Sequence, residues 1–440
     1  MAAQPDPDTS AAASIPAATG HRRVWLRVGT LLDGSGNPPL RDGQVVYDQD
    51  LILYAGADTP PRDCLGPAQR TPDAQLPDYT LLPGLIEAHA HLFLEGGELD
   101  PEKRSAHLRQ SPDMLLQLAS ARLDKLVRPG IIAVRDAGDR HGVGLALSRL
   151  DQDMRQSRLR PRGQHPYIDS PGAAIHRRGR YGSFMGEPLE DCPSPRGCVE
   201  ARVSAGADRI KIIATGIIDF QAGAVAGQPQ FTAEEVGEFT AAARSLGKQT
   251  LAHTSGAAGI DNVIAGRVDS VEHGFFVTAD QLARMRDRQI TWVPTFAPVQ
   301  KQLDHAGILG WDAKATTNLR CILDQHAASL MRARALGVPI LAGSDAGSWG
   351  VLHGFGLLDE LELMERAGLS PLEVLHAVTG APSQRLALRD NLGQIRPGFL
   401  SRFLLTRHSP LATVANLRRP KIVVFDGAVL SAEDIDPIGL

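Results

Sequence analysis

The chain has 440 residues, 43% of them hydrophobic and 22% charged, enough apolar material for a large core, which excludes global disorder. Lys and Arg total 46 against 50 Asp and Glu, a net charge of −4, so no basic excess points to nucleic acid. Four cysteines in this length exclude a disulfide framework, and no run reaches the roughly 20 apolar residues of a membrane helix. The expected partner is a small molecule, with neither nucleic acid nor membrane. A homo-oligomer is compatible with the chain, and the expected location is cytoplasmic.

In chain order, residues 1–21 are rich in Ala, Pro and Ser and lack the basic start and apolar centre of a signal peptide; a disordered tail is expected there. Residues 22–79 hold short apolar runs broken by Gly, Pro and Asp turns, and residues 395–440 read the same way. Two β-rich pieces at opposite ends are expected to form one small domain. Between them, residues 80–394 alternate apolar runs with helical patterns, the signature of βα units. The expected strands are TLLPGLIEAHA, IIAVRD, HPYID, RIKII, QTLAH, SVEH, ITWVPT and PILAGSD. Thr232 with Glu235 and Thr278 with Gln281 have capping-box spacing. Eight strands with intervening helices predict a (β/α)8 barrel; no Gly-x-Gly-x-x-Gly follows an early strand to favour a doubly wound sheet.

Barrel enzymes place reactive groups at the C-terminal ends of strands. Those ends here carry His89 and His91, then Lys211, His253, His273 and Asp345. In His-x-His, residues i and i+2 share a strand face, so His89 and His91 can reach one ion. Lys211 alternates with Ile210 and Ile212, which turns it toward the barrel interior, where a lysine must pair, lose its proton or be modified. A single strand-end histidine is ordinarily a hydrogen-bonded core residue. Two at successive strand ends, with an acid at another, make a joint metal site the better reading.

These segments, PGLIEAHAH, RIKIIATG, TLAH, VEHG and LAGSDAG, resemble the amidohydrolase superfamily of metal-dependent hydrolases, and more narrowly its branch of imidazolonepropionase-like hydrolases, prolidase-type dipeptidases and ochratoxinase. The resemblance runs from about Val24 to Leu430. It implies a (β/α)8 barrel with a small β-sandwich built from both chain ends. It also implies two divalent ions, zinc by default: His89, His91 and Asp345 on one, His253 and His273 on the other, and an N-carboxylated Lys211 bridging them. A bridging hydroxide would then attack an amide carbonyl, with Asp345 moving the proton to the leaving nitrogen. One departure is Gly398-Phe399-Leu400-Ser401-Arg402, where relatives have Gly-x-x-Ala-Asp; it holds no expected ligand.

The segment SPGAAIHRRGRYGSFMGEP follows the third expected strand. His176 is the candidate for polarising the substrate carbonyl. Arg178, Arg180 and Tyr181, with His353 after the last strand, are candidates for binding substrate, with a solvated basic loop as the ordinary alternative. Phe220, Phe275, Phe276 and Trp349 are candidates for an apolar wall. The other histidines, His326 among them, read as surface or helix residues. The expected reaction is hydrolysis of a small carboxylated amide: an N-acyl amino acid, a dipeptide or an ochratoxin-like aryl amide. The alternatives are a mononuclear aminohydrolase, a hydrolase of cyclic amides, carbamates or ureas, and a non-catalytic scaffold. Gly256 stands where such deaminases commonly carry a Glu, which weighs against the aminohydrolase.

Overall fold

The computed structural model describes residues 7–156 and 165–430; residues 1–6 and 431–440 of the expected terminal segments lie outside them. The protein is an α/β fold in two compact units: residues 1–86, 126–133 and 370–440, and residues 87–125 and 134–369.

In the first unit, strands from both chain ends enter one eight-stranded sheet. Val24–Leu31 lies between Ala74–Pro83, parallel to it, and Gln44–Tyr47, antiparallel; Ala74–Pro83 then pairs antiparallel with Arg402–Thr406. Alternating apolar residues of these strands, including Leu26, Val45, Leu81, Phe403 and Val424, bury one core. Part of the expected tail joins it: residues 7–14 are helical, and Ala12, Ile15 and Ala18 are buried in that core. A short composition-poor segment is thus ordered by three small apolar contacts and by a backbone bond from Ala18 to Gly427.

The second unit carries parallel strands between helices. Ala174–His176, Ile210–Ile213, Thr250–Thr254, Ser270–His273 and Thr291–Val293 follow one another in a six-stranded sheet completed by Gly186–Pro188. A three-stranded sheet is formed by Leu85–Ala90, Ile131–Asp136 and Tyr167–Asp169, of which residues 87–90, 134–136 and 167–169 belong to this unit. The expected eighth strand, residues 339–345, is not a regular strand. Its backbone bonds instead to both sides, Leu341 to Trp292 and Asp345 to His89. The described ladders therefore do not close into a ring. Both expected capping boxes form, on helices Ala233–Ser245 and Ala279–Asp287.

His326, read from the sequence as a surface or helix residue, lies in the middle of helix Ala313–Leu336 and is buried. Its ring stacks on Phe275 at 3.9 Å, meets Phe296 and Trp292 edge-on, and hydrogen-bonds the Pro294 carbonyl through Nε2 at 2.9 Å. Burial lowers its pKa to about 4. The folded state therefore binds its proton less readily than the unfolded chain, and this histidine's contribution to stability is lost as pH falls from about 6.5 toward 4. His326→Gln should be less stable than the wild type at pH 7.5, by urea unfolding, and the gap should shrink as pH falls through that window. A gap independent of pH would refute a neutral buried His326.

Candidate metal centre

Four strands and one irregular segment carry the polar residues, and three of these, His89, His91 and Asp345, form one close group. His89 and His91 end Leu85–Ala90, Lys211 lies in Ile210–Ile213, and His253 and His273 end the next two strands. The registers Ile213 to His253 and Thr254 to His273 keep these strand ends level. Their rings run in series, His91 to His89 at 5.5 Å, His89 to His273 at 5.0 Å, and His273 to His253 at 4.5 Å between centroids. His89, His91 and Asp345 each offer a ligand atom within 4.8 Å of the others. The Asp345 Oδ1 lies 3.5 Å from His91 Nε2 and 3.7 Å from His89 Nε2. His273 and Asp345 both hold positive φ, 67° and 55°, a backbone conformation that costs a non-glycine residue roughly 1–3 kcal/mol and persists where surrounding structure imposes it.

The outward nitrogens are all engaged. His89 Nδ1 lies 2.5 Å from Glu272 Oε2 and His91 Nδ1 lies 3.0 Å from the Gly138 carbonyl. Both partners only accept, so each Nδ1 carries the proton and each Nε2 keeps its lone pair. His273 Nδ1 meets Thr295 Oγ1 at 2.8 Å, and His253 bonds the Gly216 backbone. Burial holds His91 and His253 near 3, and His89 and His273 well below the usual histidine range, so all four are neutral at neutral pH. Behind His89, the buried Arg135 Nη2 donates to Glu272 at 2.7 Å, and its Nη1 donates to Ser270 at 3.0 Å. Glu87 accepts from the backbone of His89 and Ser344 and from the Ser344 hydroxyl, which ties the two ligand-bearing segments together.

Three atoms of the set are not engaged. Among the described residues, His89 Nε2, His253 Nε2 and Lys211 Nζ are buried without a hydrogen-bond partner. Leaving such atoms unpaired costs about 1–3 kcal/mol each, and a cation bound among them would remove that cost. Burial lowers Lys211 to about 8 and raises Asp345 to about 7. Nitrogen and oxygen donors of this kind suit zinc and its neighbours. The residues fit divalent ions.

A cavity of about 440 Å³ opens onto His91, His253, His273 and Asp345, a size suited to a small-molecule ligand. Tyr181 lines it and packs on His253 at 5.2 Å. Phe220, Phe275 and Trp349 line it as well, whereas Phe276 packs in the adjoining apolar cluster.

Other expected contacts fall elsewhere. His176 is buried but is not on the cavity wall; its Nδ1 meets the Arg177 carbonyl at 2.7 Å. Arg178 is exposed and paired with Asp191, and Arg180 donates to the Gln228 carbonyl; neither lines the cavity, because local acceptors hold both at the surface. His353 also lies off the wall and braces the centre from behind, its Nε2 3.0 Å from the His91 carbonyl. The residues that sequence reasoning missed are Glu272, Arg135, Glu87, Thr295 and Arg104. A charged residue inside an apolar strand run, as in SVEH and IIAVRD, was the available signal for the first two.

Residues 80–430 match the model of the amidohydrolase family. The chain belongs to that family. It is 24% identical to the ochratoxinase of Aspergillus niger over 444 residues, 96% of this chain and 90% of the relative. A solved Xaa-Pro dipeptidase with methionine bound in its active site is similar over 93% of this chain and all of its own, with 25% identity and a TM-score of 0.76. The solved A. niger ochratoxinase shares the fold, at 20% identity and a TM-score of 0.75 over 93% of this chain and 96% of that one. This amidohydrolase is thus a hydrolase of carbon–nitrogen bonds from a metal-dependent family.

If Glu272 orients His89, Glu272→Gln should weaken zinc binding about 10–100-fold, read by competition with a chromophoric chelator. Unchanged zinc affinity would remove Glu272 from the support of the centre.

Proposed function

We propose that this amidohydrolase is a binuclear enzyme that cleaves the C–N amide bond of a small carboxylated amide: an N-acyl amino acid, a dipeptide or an ochratoxin-like aryl amide. The observation that carries the reading is the set of partnerless inward atoms, His89 Nε2, His253 Nε2 and Lys211 Nζ, beside the His89–His91–Asp345 group. The similarity to proteins named ochratoxinase and Xaa-Pro dipeptidase supports the substrate class.

His89, His91 and Asp345 would hold one ion, His253 and His273 the other, with zinc the expected metal. Lys211, lowered to about 8 by burial, is partly neutral near neutral pH. Its amine could add to carbon dioxide and release a proton, and the resulting anionic carbamate would supply oxygen ligands to the ions. The ions, when bound, polarise the scissile carbonyl and acidify water. The protein's own residues do the rest. Asp345 accepts the proton of the attacking water and returns it to the leaving nitrogen. Tyr181, on the cavity wall, takes the place expected of His176 as the group that meets the carbonyl oxygen. The neutral histidines keep their lone pairs directed inward. The reading extends to the fold. It takes the two parallel sheets as arcs of one (β/α)8 barrel, supported by the bonds of residues 339–346 to Trp292 and His89. The eight-stranded sheet drawn from both chain ends would be the small β-sandwich.

The deciding experiment is mass spectrometry of products after incubating zinc-loaded protein with dipeptides, N-acyl amino acids, aryl amides, carbamates, hydantoins and aminated heterocycles. Release of a free amine or amino acid is expected; ammonia without amide cleavage would replace this reading by the aminohydrolase. Lys211→Ala should lose metal and activity together, and wild-type metal content in that variant would refute the bridging role. Asp345→Asn should abolish turnover, and turnover within about tenfold of wild type would assign the base elsewhere.

A further inference from the structure

We propose that Arg104 selects a substrate bearing a free carboxylate, binding it through the Nε–Nη2 edge of its guanidinium at the cavity wall; this deepens the amide-hydrolase reading and rests on it. Among the described residues that line the cavity, Arg104 is the only Lys or Arg. It sits on helix Pro101–Leu108. Its Nη1 donates to the carbonyls of Glu95 and Glu98, the second at 3.3 Å, and its Nη2 donates to the Gly347 carbonyl at 2.9 Å. A guanidinium has five N–H donors. Three are used, so Nε–H and one Nη2–H find no acceptor among the described residues. These two nitrogens form one side of the fork and match the two oxygens of a carboxylate.

Among the described residues, no carboxylate is in ion-pair contact with Arg104, although Glu95, Glu98 and Asp345 act on its charge from farther away. Glu95 is paired with Arg122 at 2.6 Å, and Glu98 with Lys103 at 3.5 Å and with the backbone N–H groups of Leu99 and Asp100. Arg104 is half-buried, and the hydrogen bonds that hold it all go to backbone carbonyls. Trp349 packs against the guanidinium face at 4.9 Å, which fixes its plane and leaves its edge for a ligand. Gly347, which Arg104 grips, is two residues from Asp345, so the cation is anchored to the segment that carries the expected base. Much of the remaining wall is apolar, including Leu94, Leu108, Phe220, Phe275 and Val299. The ligand chemistry that satisfies all of this is an amide with a carboxylate near one end and a bulky apolar or aromatic group elsewhere. Arg178 and Arg180 have no part in it.

The test uses metal-stripped full-length protein, so that no ion competes for the carboxylate, with 3-phenylpropanoate and its neutral amide 3-phenylpropanamide as probes in calorimetric titration. The wild type should bind the acid more tightly than the amide. Arg104→Gln should lose about 10–100-fold on the acid alone, Arg104→Lys should recover part of it, and Arg178→Gln should match the wild type. An unchanged acid-to-amide ratio in Arg104→Gln overturns the proposal. So does an equal loss on both probes, which would mark Arg104 as a brace for its loop. In parallel, zinc-loaded wild type is assayed on N-benzoyl-phenylalanine and its carboxamide. Hydrolysis of neither, with the binding result intact, would refute the amide-hydrolase reading and leave Arg104 as a carboxylate site.

Discussion

The structure turns on the cost of burying donor atoms that nothing in the protein satisfies. Lys211 Nζ, His89 Nε2 and His253 Nε2 are buried without hydrogen-bond partners among the described residues, while burial drives the nearby histidines neutral and Lys211 down toward the neutral range. An apolar filling would have been cheaper. A chain that keeps these groups is held in a state that binding relieves, and the same desolvation that makes the free site costly makes its donors good ligands.

That arrangement needs outer support, and the support is drawn from every neighbouring element. Arg135 and Ser270 hold Glu272, and Glu272 holds His89; Gly138 holds His91, and Thr295 holds His273. Each bond occupies the nitrogen facing away from the centre, which leaves one tautomer and one ring orientation for His89 and His91. The positive φ of His273 and Asp345 belongs to the same design. Strained backbone at the strand end of His273 and in the irregular segment of Asp345 is tolerated because a parallel register and the Glu87–Ser344 bonds fix the neighbouring segments. Rigidity here is distributed, with no single contact carrying it.

The cavity above the centre has a different character. Aromatic and aliphatic side chains make up much of its wall, and Arg104, the one permanent cation among the described residues that line it, bonds the segment bearing Asp345. Such a pocket gains affinity from apolar area and orientation from a single charge. On the proposed reading, that division would let one hydrolytic centre discriminate among amides by what flanks the bond.

Much of this was legible in the sequence because strand periodicity is short-ranged. Alternation around Lys211, the His-x-His spacing of His89 and His91, and apolar runs ending in His253, His273 and Asp345 place polar groups at strand ends without any knowledge of contacts. Capping at Thr232 and Thr278 is equally local. What sequence could not decide depends on distance across the fold. Arg178 and Arg180 read equally as substrate ligands or as a solvated basic loop, and Asp191 and the Gln228 carbonyl hold them at the surface; His326 read as a surface or helix residue, and three aromatic rings enclose it within the fold. Arg104 lies in an ordinary polar helix, and only the chain's return at Gly347 and Trp349 brings it to the cavity with its charge unpaired. Local spacing therefore determined which residues could form a metal centre. Tertiary packing alone decided which charges remained free to meet a substrate, because pairing depends on neighbours that can be hundreds of residues away.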